Sequence, residues 1–193
     1  MQTRRLIALI FFIFLSIAIA LTRANATVVQ KLSDEDKTVQ AQAILIGTCT
    51  SIRSEWNEEG TKIFTYITIS PQTVLKGDDI PEELVIKNLG GVVGDIGMHA
   101  DGTSVFEEGE EVLLFLRRGT RGLHKVLGLS EGKFSVKTDP DTQRKVLVKK
   151  RVRWTRTLNG KIEKRIFDIK PDKKVFLDDF VERIQNILQE KGN

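Results

Sequence analysis

An unbroken apolar run at residues 112–116, Val-Leu-Leu-Phe-Leu, constrains the fold of this chain more than any other feature of its sequence. The run is short and follows an acidic turn, Glu107-Glu108-Gly109. Because a strand at the surface alternates apolar and polar residues, an unbroken run predicts a strand that is covered on both faces. We therefore expect the core to be built around the stretch from Val105 to Leu116.

The N-terminal residues have the pattern of an export signal. Arg4 and Arg5 precede an apolar run at residues 6–21, and Ala24-Asn25-Ala26 places small residues where a signal peptidase cleaves. We predict a signal peptide over residues 1–26, because the apolar run is shorter than the about 20 residues that span a bilayer. Cleavage would give a periplasmic or extracellular protein without a membrane span, and the alternative is a retained membrane anchor.

The mature chain is expected to form one domain with little net charge. Removal of 26 of the 193 residues leaves 167, enough for one sizeable core. Three of the 30 basic residues leave with the signal, so 27 face 26 acidic residues, and affinity for polyanions has to come from local clusters. Cys49 is the only cysteine, which excludes an internal disulfide framework.

Apolar and polar alternation predicts a mainly β domain over residues 40–193, behind a polar and loosely held leader at 27–39. Strands are expected at 40–53, 62–75 and 84–86, and again beyond the central run at 123–129 and 133–137. The segment 90–102 is too rich in glycine for a regular element and is expected to be a loop. Apolar residues at three- and four-residue spacing predict an amphipathic C-terminal helix at 177–191.

A basic hairpin is predicted at residues 144–170. Asn159-Gly160 favours a two-residue type I′ turn, because both residues tolerate positive φ angles. Such a turn pairs residues whose numbers sum to 319, and this register gives the pairs Arg156 with Glu163, Arg151 with Asp168, Val152 with Phe167 and Trp154 with Arg165.

The strand Ala43-Ile44-Leu45-Ile46-Gly47, the strand end Val74-Leu75-Lys76-Gly77 and the stretch from Phe106 to Leu116 resemble exported bacterial OB-fold-like domains. These are similar in turn to the netrin-module and tissue-inhibitor-of-metalloprotease barrels. The resemblance covers about residues 40–135 and implies a five-stranded OB-like barrel, here with an extra β-hairpin and the C-terminal helix. The inhibitors chelate a protease zinc through an N-terminal cysteine. This chain has Thr27 at its predicted mature N-terminus, so the resemblance implies the fold and not that mechanism.

The sequence contains no recognisable catalytic motif, and we expect no cofactor and no metal. A zinc site would need both histidines, His99 and His124, with a carboxylate such as Asp95 or Asp101. Cys49 lies in an apolar strand, which favours a buried inert thiol over a nucleophile. The acidic clusters lack the alternating spacing of a calcium loop.

Two regions are candidate binding surfaces. The glycine segment resembles a phosphate loop, but no helix follows that could face an anion, so we interpret it as a mobile and candidate binding loop. The hairpin carries a basic stripe that could hold anionic polysaccharide or lipid headgroups. Nucleic acid is less favoured because few aromatic residues are available for stacking. The predicted binding residues are Lys149, Arg151, Arg153, Trp154, Arg165, Gly91, Gly94 and Gly97.

These patterns predict an exported, non-enzymatic module that binds a protein or an anionic envelope component. An alternative for the hairpin is a solvated arm whose charges prevent aggregation of its edge. Two alternative functions also remain open: a structural or accessory subunit of an exported assembly, and a hydrolase with an unrecognised site.

Overall fold

The computed structural model describes residues 32–156, 162–169 and 173–191, with the backbone alone at 153–156 and 162–164. The predicted signal peptide and the Asn159-Gly160 turn lie outside these residues. The elements in chain order are α1 (Asp34–Gln40), β1 (Ala43–Trp56), β2 (Ile63–Lys76), β3 (Leu84–Leu89), β4 (Gly91–Val93), β5 (Ile96–Met98), β6 (Glu111–Arg118), β7 (His124–Val126), β8 (Lys133–Thr138), β9 (Lys145–Arg156), β10 (Ile162–Ile169) and α2 (Leu177–Lys191).

Five strands close into a barrel in the order β1-β2-β3-β7-β6, and β6 returns to pair with β1. The β3 and β7 strands are parallel, and the other neighbours in the ring are antiparallel. From β6 the sheet continues outward through β8, β9 and β10. The prediction of a mainly β fold with a five-stranded barrel is confirmed, and the barrel is compatible with an OB-like fold.

The central apolar run forms β6 and is covered on both faces, as predicted. Val112, Leu114 and Leu116 point into the barrel, where they join a buried cluster with Leu45 and Ile67. Because side chains alternate along a strand, the intervening residues point to the other face. There Leu113 and Phe115 belong to a second buried cluster outside the barrel. One strand therefore contributes to two cores, and no position between 112 and 116 is left for a polar side chain.

The helix α2 covers the second core. It has the predicted bounds, and its buried residues Leu177, Phe180 and Ile184 recur along one face. The ring of Phe180 packs edge-on against that of Phe115, with 6.4 Å between the centroids. At the N-terminal end of the helix, Arg144 on the hairpin side forms ion pairs with Asp178 and Asp179 at 2.7 Å.

The prediction of a loosely held leader is wrong for its described part, since residues 34–40 form α1. Ser33 Oγ accepts a hydrogen bond from the Asp36 N–H at 3.0 Å, and the Asp36 carboxylate accepts one from the Ser33 N–H at 3.3 Å. This is a capping box, which satisfies backbone donors at the helix start. Asp34 also forms an ion pair with Arg183 on α2 at 3.1 Å, which ties the two helices together.

The glycine segment is not irregular throughout, because residues 91–98 form the small antiparallel hairpin of β4 and β5. Gly91 lies against β1 and β2. A Cβ atom there would stand 2.4 Å from Thr65 Oγ1 and 2.5 Å from Ser54 Oγ. Gly91 therefore serves close backbone packing, while Gly94, with φ +58°, lies in the exposed turn and Gly97 pairs with Val92.

The predicted register of the basic hairpin is wrong by one residue. Paired numbers sum to 318, which places Arg151 opposite Phe167 and Arg156 opposite Ile162. The sum of 319 that a two-residue turn at Asn159-Gly160 requires is not found in the described pairs. In the observed register, Asp168 lies opposite Lys150 and forms an ion pair with Lys137 on β8, the strand beyond β9, instead of the predicted pair with Arg151.

Candidate functional site

Lys149 was predicted to be an exposed cation of the basic stripe, and the structure contradicts this. Its Nζ donates hydrogen bonds to the backbone carbonyls of Ser130, at 3.1 Å, and Glu131. The ammonium also lies 3.8 Å from the ring centroid of Phe134. Burial lowers the pKa of Lys149 to about 7. This lysine holds the turn at residues 130–131 against β9 instead of presenting charge to a ligand.

The next residue, Lys150, belongs to a buried ion cluster at one end of the barrel. Glu110 is its centre: Oε1 lies 2.7 Å from Lys133 Nζ and 2.8 Å from Lys150 Nζ, and it accepts a hydrogen bond from Ser135 Oγ. Lys150 also pairs with Glu107. The side chains of Lys133, Glu110 and Lys150 are only 3%, 6% and 5% exposed. We call Glu107, Glu110, Lys133, Ser135 and Lys150 the ion cluster.

Opposing effects set the protonation of the ion cluster. Burial alone would raise the pKa of Glu110, but the attraction of Lys133 and hydrogen bonds from Lys133, Lys150 and Ser135 hold it below its ordinary value. Burial lowers the pKa of Lys133 to about 8, although Glu110 acts in the opposite direction. The cluster therefore contains a carboxylate that remains charged at neutral pH between two ammonium groups.

Ser135 and Lys133 are the described groups nearest to a nucleophile and base arrangement. Ser135 Oγ lies 2.8 Å from Lys133 Nζ, a distance suited to proton transfer. Both residues are buried, however, and Ser135 has no exposed surface. Burial raises the pKa of the neighbouring Cys49 thiol to about 11, and Glu110 and Glu108 reinforce the shift. A substrate could not reach Ser135 Oγ or Cys49 Sγ unless the core opened.

The other predicted residues of the hairpin stay at the surface. Arg151 and Arg165 are exposed. The backbones of Arg153 and Trp154 pair with Arg165 and Lys164, and their side chains lie outside the described part of the chain. A groove of about 470 Å³ brings β9 and the end of the glycine segment together, but its lining mixes Arg151 with Asp101 and Glu131. Gly91, Gly94 and Gly97 do not line this groove.

The two histidines lie in different environments, one at the surface and one buried. His99 lies 2.8 Å from Asp101 at the surface, whereas His124 is buried on β7, where burial and the charge of Arg118 lower its pKa. Within the described residues, no three His, Cys, Asp or Glu side chains come together as metal ligands.

A different set of basic residues surrounds a pocket of about 480 Å³ on the outer side of the barrel. Lys62 precedes β2, Lys87 lies on β3, and Lys125 lies on β7. The pocket lining contains no acidic residue, and none of these lysines forms an ion pair in the described part of the chain. We call this the three-lysine pocket, and its lining is completed by Phe64, Asn88, Leu89, Thr103, Ser104, Thr120, Val126 and Leu129.

Aromatic rings hold one of these lysines in place. Lys87 Nζ lies 3.9 Å from the ring centroid of Phe64 and 5.4 Å from that of Tyr66. Arg53 lies 5.4 Å from the same Tyr66 ring, on the side of β1. The three strands pair Arg53 with Tyr66 and Tyr66 with Lys87, so the rings and cations form one row across the barrel surface. Cation–π contacts orient ammonium groups without neutralising them.

The sequence alone did not reveal the three-lysine pocket. Its lysines are separated by 25 and 38 positions, so no local cluster of charge marks them. The only local signal was the pair Phe64 and Tyr66, which lie on the opposite face from the buried Ile63 and Ile67. Closure of the barrel brings β7 beside β3, and Lys125 thereby comes near Lys87.

Comparisons with family models, curated proteins and solved structures give no match for this chain. Among the described residues, no helix is both long and apolar enough to cross a bilayer. The functional argument therefore depends on the residues of the three-lysine pocket and the ion cluster.

Proposed function

We propose that this chain is an exported, non-enzymatic binding module whose three-lysine pocket holds an anionic component of the cell envelope. The observation that carries the proposal is the convergence of Lys62, Lys87 and Lys125 on a cavity whose lining has no carboxylate. Lysines that surround a cavity without ion-pair partners create a positive potential that attracts anions. The volume of about 480 Å³ falls within the range of small-molecule sites.

Export is part of the proposal and is supported by the pattern of residues 1–26. The likeness to netrin-module and metalloprotease-inhibitor barrels is supported only by strand and turn positions that many small barrels share. We therefore propose common architecture and no common mechanism.

A second candidate function is that of an accessory subunit, and one observation favours it. Among the described strands, β10 is the outermost of the sheet, and its residues Phe167 and Ile169 are 38% and 37% exposed. An edge strand with exposed apolar side chains can accept a strand from a partner. Co-purification of one stoichiometric protein with the exported chain would support this function over the first.

The test of the first function is retention of the exported chain at low salt on immobilised anionic polysaccharide and on anionic lipid vesicles. We expect wild-type protein to be retained on at least one of them and K62E/K87E/K125E to elute with the unbound fraction. The R151E/R165E variant reverses exposed charges outside the pocket and serves as the matched control, with retention like that of wild type. Absence of wild-type retention on both materials would overturn the proposal.

A further inference from the structure

We infer, on the basis of the proposed function, that the anion recognised by the three-lysine pocket is a phosphomonoester carried on an organic group. The shared chemistry is a terminal phosphate, and its source is either a soluble sugar phosphate or the headgroup of a membrane lipid. The inference rests on the type of cation in the pocket, on its charge balance and on its rim.

The type of cation is suited to phosphate. Arginine binds both carboxylate and phosphate through two parallel hydrogen bonds of its planar fork, whereas lysine binds phosphate as a point charge. The pocket lining contains three lysines and no arginine. Lysine is a compact point charge whose three donors suit a tetrahedral group approached from several sides.

The charge balance favours a dianion. None of the three ammonium groups is paired with a described carboxylate, so the pocket lining carries excess positive charge. A phosphomonoester carries about −1.5 to −2 charges at neutral pH and offers three acceptor oxygens, whereas a carboxylate carries one charge. A phosphomonoester therefore neutralises more of the positive charge of the three lysines than a carboxylate does.

The rim favours an organic carrier over the free ion. Leu89 and Leu129 are 41% and 44% exposed at the pocket. Internal hydrogen bonds hold this wall together, since Asn88 Nδ2 donates to the Ser104 carbonyl at 3.0 Å and Ser104 Oγ donates to the Leu129 carbonyl at 2.8 Å. Exposed leucines beside fixed polar groups suit a ligand that has an apolar face as well as a charged end.

Lys87 is the expected anchor of the phosphate. The Phe64 and Tyr66 rings restrict its ammonium, whereas Lys62 and Lys125 contact no aromatic ring among the described residues and are exposed. A restricted donor loses less conformational freedom when it binds. Loss of the Lys87 charge should therefore weaken binding more than loss of either other lysine.

The experiment is calorimetric titration of the exported chain with glucose 1-phosphate, glucuronate and inorganic phosphate, at low salt and neutral pH. We expect glucose 1-phosphate to bind about tenfold more tightly than glucuronate and more tightly than inorganic phosphate. In parallel, the exported chain is sedimented with two kinds of phosphatidylcholine vesicle. One kind contains phosphatidic acid, a phosphomonoester, and the other contains enough phosphatidylglycerol, a phosphodiester, to carry the same total charge. Preference for the phosphatidic acid vesicles would identify a lipid as the source of the phosphate. Tight binding of glucose 1-phosphate with no such vesicle preference would identify a soluble sugar phosphate.

Variants assign the binding to the pocket. K87Q should weaken binding of the preferred phosphate about tenfold and K125Q by less, whereas K173Q, an exposed lysine outside the pocket, should change nothing. Unfolding midpoints of all variants are measured so that a folding defect is recognised, and K125Q tests the pocket if K87Q does not fold. Equal affinities for glucose 1-phosphate and glucuronate, with no preference between the two vesicles, would overturn the phosphate inference and leave the anion-binding function standing. No binding of any anion would overturn both.

Discussion

The lysines of β9 differ from those of the three-lysine pocket in whether other groups of the protein bind their ammonium groups. Lys149 and Lys150 lie together in the most basic stretch of the sequence, yet one is held by backbone carbonyls and the other by Glu107 and Glu110. Lys62, Lys87 and Lys125 are scattered along the chain and meet around a cavity without carboxylates. Charge density along a sequence therefore does not locate binding charge in the folded protein.

The difference arises from what lies opposite each ammonium group. The acidic turn before β6 supplies Glu107 and Glu110 to Lys150 of the basic strand, and Glu110 also pairs with Lys133 of β8. The barrel wall formed by β2, β3 and β7 offers its lysines rings and apolar side chains instead. Buried paired charges affect folding, whereas unpaired charges at a cavity are available for a ligand.

The largest expected effect is on the ion cluster. E110Q keeps the shape of the side chain but leaves Lys133 and Lys150 without their shared counter-charge, which should lower the free energy of unfolding by about 3–5 kcal/mol. Urea denaturation of E110Q is compared with that of E82Q, an exposed glutamate in the turn before β3. A loss below about 0.5 kcal/mol in E110Q would show that the paired charges of β9 contribute nothing to folding.

A smaller effect is expected for Lys149, which should make the free energy of unfolding depend on pH. Its pKa is about 7 in the folded protein and about 10.4 when unfolded, so between these values the unfolded chain binds a proton that the folded chain does not. The free energy of unfolding of wild type relative to K149M should therefore rise with pH from about 7 to about 10, by up to about 4 kcal/mol, and stay constant below pH 7. Denaturation curves across this range measure the difference. A flat difference would mean that Lys149 is charged throughout, as a surface cation is.

The smallest effect is expected for Arg151, which is exposed on the basic hairpin. R151Q should change the free energy of unfolding by less than about 0.5 kcal/mol, and it should change the binding of an anion less than about twofold. The same denaturation and titration measurements apply. A tenfold loss of binding in R151Q would move the anion site from the three-lysine pocket to the hairpin and reverse the comparison.

Two features that depend on local patterns, the central strand and the C-terminal helix, were predicted correctly. The run from Val112 to Leu116 has no polar position, and a strand with that composition is stable only between two cores, as β6 is. The spacing of Leu177, Phe180 and Ile184 fixes the apolar face of α2 in the same way. The capping box of Ser33 and Asp36 was equally local, and the helix α1 could have been predicted from it.

The sequence by itself thus determined the β class, the central strand and the C-terminal helix, because alternation and helical spacing are properties of neighbouring residues. Only the tertiary structure decided the register of the hairpin, the packing role of Gly91 and the identity of the candidate site. The observed hairpin register places Asp168 within reach of Lys137 on β8, and Gly91 is required by the approach of Thr65 and Ser54. The three-lysine pocket exists because barrel closure places β7 beside β3. Whether a charge is paired depends on residues distant in sequence, so the availability of each lysine was decided by the fold.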